Sequence, residues 1–222
     1  MLLLFDIDGT LLLRASAPHA EALMSSMRKV YGVSKLHSDG VELAGRTDPE
    51  IARHYLLLAE VDDKKVDDGF DELNRTAVEE FARLCPDDIS DRVSPGMQAV
   101  LDELAAEHDL SLVTGNLEPI AQIKLKRAGI GHHFPTGQGG FGSDSEDRTL
   151  LPALARRRAG DHPREDSVVI GDTPRDIACA RADGLKVIAI ATGPYAAAEL
   201  EDADVVISRA EELPGAIASL LP

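Results

Sequence analysis

The chain is poor in cysteine, in basic charge and in long apolar runs, and each shortage excludes something. Only Cys85 and Cys179 occur in 222 residues, far apart and without CxxC or Cys/His spacing, which argues against a disulfide framework or a zinc site. Both read as free, partly buried thiols. Basic residues number 23 against 39 acidic ones, a net charge of -16, which argues against a nucleic-acid backbone or an anionic membrane surface as partner. No apolar stretch approaches the length of a membrane span. The opening LLLF run is too short for a signal peptide and has no basic flank or small-residue cleavage site, so a cytoplasmic location is expected.

What is present is a globular composition, 44% hydrophobic, in a chain long enough for one substantial core plus a smaller appended domain. The most informative segment comes first. The apolar run Leu2 to Phe5 breaks on Asp6 and Asp8, followed at once by Gly9 and Thr10. In an extended strand these two carboxylates share a face, with Phe5 and Ile7 on the other. A carboxylate at the end of a buried strand is costly unless something uses it. A strand-to-turn junction capped by an Asx bond reads the same residues equally well.

Residues 1 to 8 read as a strand, and about Ala15 to Cys85 as a helical block of three or four helices, with Ala20, Leu23, Met24, Met27 and Val30 at helical spacing. Thr47-Asp48-Pro49-Glu50 is a helix start with a polar cap and a proline where no amide is needed. After Pro86 strands and helices alternate: strands at Leu110 to Val113, Gln138 to Phe141, Ser167 to Ile170, Val187 to Ile190 and Val205 to Ile207, with helices between them. This predicts an α/β fold, a Rossmann-like core with a mainly parallel sheet flanked by helices. The expected core is residues 1–14 and 86–222, and the expected α-helical cap is residues 15–85, inserted above the strand ends.

Three strands end in polar residues: Asp6 with Asp8, then Thr114-Gly115-Asn116, then Gly171-Asp172 with Asp176 four residues on. In a parallel sheet these ends lie on one edge, so residues over a hundred positions apart can meet. FDIDGT, LVTGN and VIGDTPRDIACARA resemble motifs I, II and IV of the haloacid dehalogenase superfamily, and GRTD (45–48) and ATGPYAAAEL (191–200) resemble segments of its capped, phosphoglycolate-phosphatase-like members. The resemblance implies a hydrolase acting on a small phosphorylated metabolite with Mg2+. It makes Asp6 the nucleophile that forms an aspartyl phosphate and Asp8 the general acid and base. Asp6, the Asp8 carbonyl and Asp172 would hold the metal, supported by Asp176. Gly9, Thr10, Thr114, Gly115 and Asn116 would hold phosphate oxygens. Asp8 also argues for phosphoryl transfer over dehalogenation, which has no leaving alkoxide to protonate.

The chain departs from the superfamily at motif III, usually a lysine. No lysine lies between Lys126 and Lys186. Arg148, in SDSEDRTLLPALA, is the expected replacement, although a planar fork is no drop-in for an ammonium. Lys124 and Lys126 are alternatives that otherwise read as solvent-facing helix lysines. Arg46 is the candidate to recognise a substrate carboxylate or phosphate, against its reading as a surface arginine. His54 and His132-His133 read as structural. The cap lysines Lys29, Lys35, Lys64 and Lys65 do not sit in GRTD, which disfavours Schiff-base phosphonate cleavage. Two alternatives to hydrolysis stay open at this level: a phosphomutase using the same aspartyl phosphate, and a phosphate-binding or regulatory protein without turnover.

Overall fold

A computed structural model describes residues 1–36 and 42–220; residues 37–41, within the expected cap, and 221–222, at the end of the expected core, lie outside the described residues. The sheet is six-stranded and parallel throughout. Its strands are β1 (Leu2–Phe5), β2 (Asp109–Thr114), β3 (Gly140–Phe141), β4 (Ser167–Gly171), β5 (Lys186–Ile190) and β6 (Val205–Ile207), in spatial order β3-β2-β1-β4-β5-β6. The Rossmann-like fold expected from the alternating pattern is therefore the observed one.

Alternation along the strands explains the layers. Leu3, Phe5, Ile170, Ile188 and Ile190 point to one side, where α4 (Met97–Leu104), α5 (Glu118–Arg127) and α8 (Leu213–Leu220) bury them. Leu2, Leu4, Val169, Val187 and Ala189 point to the other, against α6 (Leu151–Arg158) and α7 (Pro174–Ala182). A parallel sheet covered on both faces leaves its strand ends as the place where polar groups can gather. Phe5 stands in register with Leu112 on one side and Ile170 on the other. Three polar strand ends thus come to one point.

The helical insert between β1 and the rest of the core contains α1 (Ser16–Tyr31), α2 (Asp48–Leu58) and α3 (Asp63–Leu84), three helices and no strand among the described residues. His19, Ala22, Leu23, Ser26 and Met27 form the buried stripe of α1. Helix α2 starts where the sequence places it, with the Thr47 hydroxyl accepting from the Glu50 amide at 3.2 Å and Pro49 in the first turn. The first strand is shorter than expected. It stops at Phe5, although the Asp6 amide still reaches the Ile170 carbonyl at 2.9 Å, because the chain turns through Gly9 at φ 93°. No described helix is long and apolar enough to cross a membrane.

Phe5 is fully buried, with its ring edge-on to Phe134 at 6.0 Å, directly beneath Asp6. Phe5→Ala is expected to cost about 3–5 kcal/mol by urea denaturation.

Candidate active site

Asp6, Asp8, Gly9, Gly115, Asn116, Arg148 and Asp172 all open on one cavity of about 900 Å3 between the strand ends and the insert. At its floor stand Asp6 and Asp172, with Asp176 buried behind them, an oxygen of each of the three lying within 4.8 Å of the others. Arg148 enters from a 3-10 turn (Arg148–Leu150) that Asp147 caps by accepting from the Thr149 amide at 2.9 Å. Its Nη2 lies 3.1 Å from Asp6 Oδ1 and 2.5 Å from Asp176 Oδ1, and its Nη1 donates to the Gly45 carbonyl at 3.2 Å.

One buried cation against three carboxylates leaves the cluster short of positive charge. Burial, opposed by Arg148 and reinforced by Asp176 and Asp8, raises Asp6 to about 6. Burial, together with Asp176 and Asp6, raises Asp172 to about 8. Burial works against the Arg148 charge too, but Asp176 and Asp6 outweigh it and hold the guanidinium protonated.

Asp176 is used differently from its neighbours. Its Oδ2 accepts from the Asp172 amide at 3.2 Å, the Thr173 amide at 3.0 Å and the Thr173 hydroxyl at 2.7 Å. The bond from the Thr173 amide, together with the Asp176 amide donating back to the Thr173 hydroxyl at 3.3 Å, makes the capping box that starts α7. Asp172 is thereby fixed in place by the helix that follows it.

The description "haloacid dehalogenase-like hydrolase" matches residues 3–181. The chain belongs to that family. A phosphoglycolate phosphatase from Chromobacterium violaceum is 28% identical over 213 residues, 94% of this chain and 92% of that protein. Among solved structures, a haloacid dehalogenase-like hydrolase from Streptococcus pneumoniae matches at a TM-score of 0.65 and 20% identity, covering 97% of each chain. A beta-phosphoglucomutase from Clostridium difficile matches at a TM-score of 0.70 and 14% identity, covering 98% of this chain and 95% of that one. At those identities the two structures share the fold. The protein is an enzyme of the hydrolase family, and the family match together with the phosphatase relative supports a phosphatase.

The structure corrects the sequence reading of one family position. Lys124 does not face solvent: it is fully buried, while Lys126 beside it is exposed. The ammonium has three protons and finds three acceptors: Asp8 Oδ2 at 2.6 Å, Asn116 Oδ1 at 2.6 Å and His19 Nδ1 at 3.1 Å. With Nδ1 accepting, the neutral imidazole carries its proton on Nε2, which faces Asp48 Oδ2 at 2.9 Å. That oxygen also accepts from the Leu117 amide at 2.8 Å, and the Asp48 amide donates to the Gly115 carbonyl at 2.8 Å.

A continuous buried chain thus runs from Asp8 through Lys124 and His19 to Asp48. Burial pushes the Asp8 carboxyl up, but the Lys124 ammonium, with hydrogen bonds from Lys124 and Asn116, more than reverses this and the net direction is down. Neither His19 nor the side chain of Asp48 stands out as functional in the sequence. The available signal was position: Lys124 falls among Leu117, Ile120, Ala121, Leu125 and Ala128, all buried, and His19 falls within the buried stripe of α1.

The expected phosphate-holding residues divide. Gly9, Gly115 and Asn116 line the cavity, while Thr10 and Thr114 do not. The buried Thr10 hydroxyl instead supports Asp172, donating to its Oδ1 at 2.9 Å. Thr114 Oγ1 accepts from the Asn116 side chain at 2.9 Å, whose other amide proton serves Asp8 Oδ2 at 2.9 Å. A side chain at Gly115 would place its Cβ 2.1 Å from the Arg46 carbonyl, so only glycine lets the insert dock here. Arg46 lines the cavity, but its guanidinium already pairs with Glu50 and donates to the Glu42 carbonyl.

Asp172 Oδ2 is buried without a hydrogen-bond partner. It is backed closely by Gly9 and Gly193, where an added Cβ would lie 2.1 Å and 1.7 Å away. An orphaned carboxylate oxygen beside Asp6, in an all-oxygen donor set, fits a hard divalent cation such as magnesium.

Removing the cation from the Lys124 chain leaves the Asp8 carboxylate unpaired. Lys124→Met is expected to lose about 3–5 kcal/mol in chemical denaturation. Adding Asp8→Asn to it should recover part of that loss, because the two residues are directly coupled; strictly additive losses would count against the pairing.

Proposed function

We propose that the protein is a magnesium-dependent phosphatase that hydrolyses a small phosphomonoester through an aspartyl phosphate on Asp6. The observation that carries this reading is the second carboxylate: Asp8 opens on the same cavity as Asp6 and is held by Lys124 and Asn116 rather than by the cation that faces Asp6. Two neighbouring carboxylates in different electrostatic settings can take different roles. The phosphatase name of the Chromobacterium violaceum relative supports a phosphomonoester as substrate.

In this mechanism an Asp6 oxygen attacks phosphorus, the bond from phosphorus to the ester oxygen breaks, and Asp8 delivers a proton to the departing oxygen. Water then attacks the phosphorus of the acyl phosphate while Asp8 takes its proton, and inorganic phosphate leaves with Asp6 regenerated. Asp8 is drawn toward its ionised form, which suits the base of the second step. The proton Asp8 takes from water in the second step is the one it delivers to the leaving oxygen in the next turnover.

Magnesium, when bound, would neutralise the charge between an anionic phosphate and the carboxylates, with Asp6, Asp172 and the Asp8 carbonyl as its protein ligands. Arg148 fills the position usually taken by the motif III lysine and orients Asp6 against repulsion from Asp176. The insert, residues 15–85, acts as a cap that covers the cavity and limits water access, and the core comprises 1–14 and 86–222.

Asp6→Asn is expected to reduce magnesium-dependent release of phosphate from an aryl phosphate by at least about a thousandfold. Asp8→Asn, lacking the base for the second step, should accumulate phosphate bound to Asp6, detected as a mass increase on the intact acid-quenched protein. Full activity in Asp6→Asn would overturn the nucleophile assignment.

A further inference from the structure

The cavity is larger, and more one-sided in its chemistry, than a small polar phosphoester requires. Its floor is the charged strand-end cluster, but the wall supplied by the insert and its junctions is built from Leu13, Leu23, Met24, Leu43, Ile51 and Tyr55. At about 900 Å3 it lies in the range that accommodates a drug-sized ligand.

Of the polar side chains lining that side, His19, Asp48 and Arg46 already have partners, while Arg14 and Ser16 are exposed. His19 lies between Lys124 and Asp48, and Asp48 also accepts the Leu117 amide. Arg46, the side chain placed to meet a second anionic group, is paired with Glu50 and the Glu42 carbonyl. A carboxylate on the leaving group would have to break the Arg46–Glu50 pair or be met by the solvent-exposed Arg14. A sugar would set several hydroxyls against leucine, isoleucine and methionine, where each loses hydrogen bonds to water without replacement.

We propose that the leaving group is apolar: an aliphatic or aromatic alcohol whose phosphate sits at Asp6 and whose hydrocarbon body lies along the insert wall. This rests on the phosphatase reading above and narrows it to a substrate class. Specificity of this kind comes from area removed from water. Each methylene buried in the transition state contributes about fourfold in kcat/KM until the wall is covered.

The test is a set of magnesium-dependent rates, followed as inorganic phosphate, on n-alkyl phosphates from methyl to octyl, 1-naphthyl phosphate, phosphoglycolate and glucose 6-phosphate. The expected result is a stepwise rise in kcat/KM of about three- to fourfold per methylene over the first several carbons. Naphthyl phosphate should exceed phosphoglycolate and glucose 6-phosphate by at least about tenfold. Met24→Gln, which keeps the side-chain volume while adding an amide to the wall, should lower the ratio of octyl to methyl kcat/KM severalfold.

A flat chain-length profile, or a tenfold preference for phosphoglycolate or the sugar phosphate, overturns the apolar leaving group and leaves the phosphatase reading standing. Absence of turnover with every ester, in protein shown to be folded by its thermal transition, overturns the phosphatase reading and this inference with it.

Discussion

The structure depends on a charge imbalance that the fold creates and does not fully relieve. Two parallel strands, β1 and β4, and the first turn of α7 bring Asp6, Asp172 and Asp176 to one buried point, and Arg148 is the cation that touches two of them. Carboxylates this close in a low-dielectric setting are destabilising when all are ionised. The raised values of Asp6 and Asp172 express that cost as a tendency to hold protons. Asp176 is anchored by the capping box and Arg148, and Thr10 holds one oxygen of Asp172. Every support leaves Asp172 Oδ2 free, so the missing charge has a defined place.

A second buried network ties the insert to this cluster. Lys124 comes from the core helix α5, His19 from α1 and Asp48 from the start of α2, and their hydrogen bonds cross the boundary between core and insert. Because Lys124 also holds Asp8, the placement of that carboxylate is linked to the docking of the helices that wall the cavity. Gly115 permits this contact sterically, and its carbonyl receives the Asp48 amide. The wall of the cavity and the position of Asp8 are therefore supported by the same contacts.

Much of the site is legible in the sequence, because strand ends are local features. Asp6, Asp8 and Asp172 each follow an apolar run, and the parallel pattern requires those ends to meet. Arg148 is found by exclusion, since its stretch contains no lysine. The remaining polar contacts depend on long-range packing that no local pattern specifies. A lysine after a strand-to-helix turn reads as a surface residue, and only its place on the apolar stripe of α5 signals that Lys124 is buried. The Thr10 hydroxyl follows Asp172 across 162 positions, a pairing that motif spacing does not show. The partner of Arg46, by contrast, was within reach: Glu50 lies at i+4, the spacing at which helical neighbours meet.

The central claim is that the buried carboxylates form a cation site in which bound metal replaces protons. Calorimetric titration of the 222-residue chain with magnesium near pH 7, repeated in buffers of different ionisation enthalpy, measures both binding and proton exchange. Asp172, raised to about 8, still carries most of its proton there, and Asp6, at about 6, carries a small fraction. Binding of a divalent cation favours the ionised forms. The account predicts saturable binding with release of protons that diminishes above pH 8 and is largely lost in Asp172→Asn. Binding without proton release, or no magnesium binding at all, would contradict it.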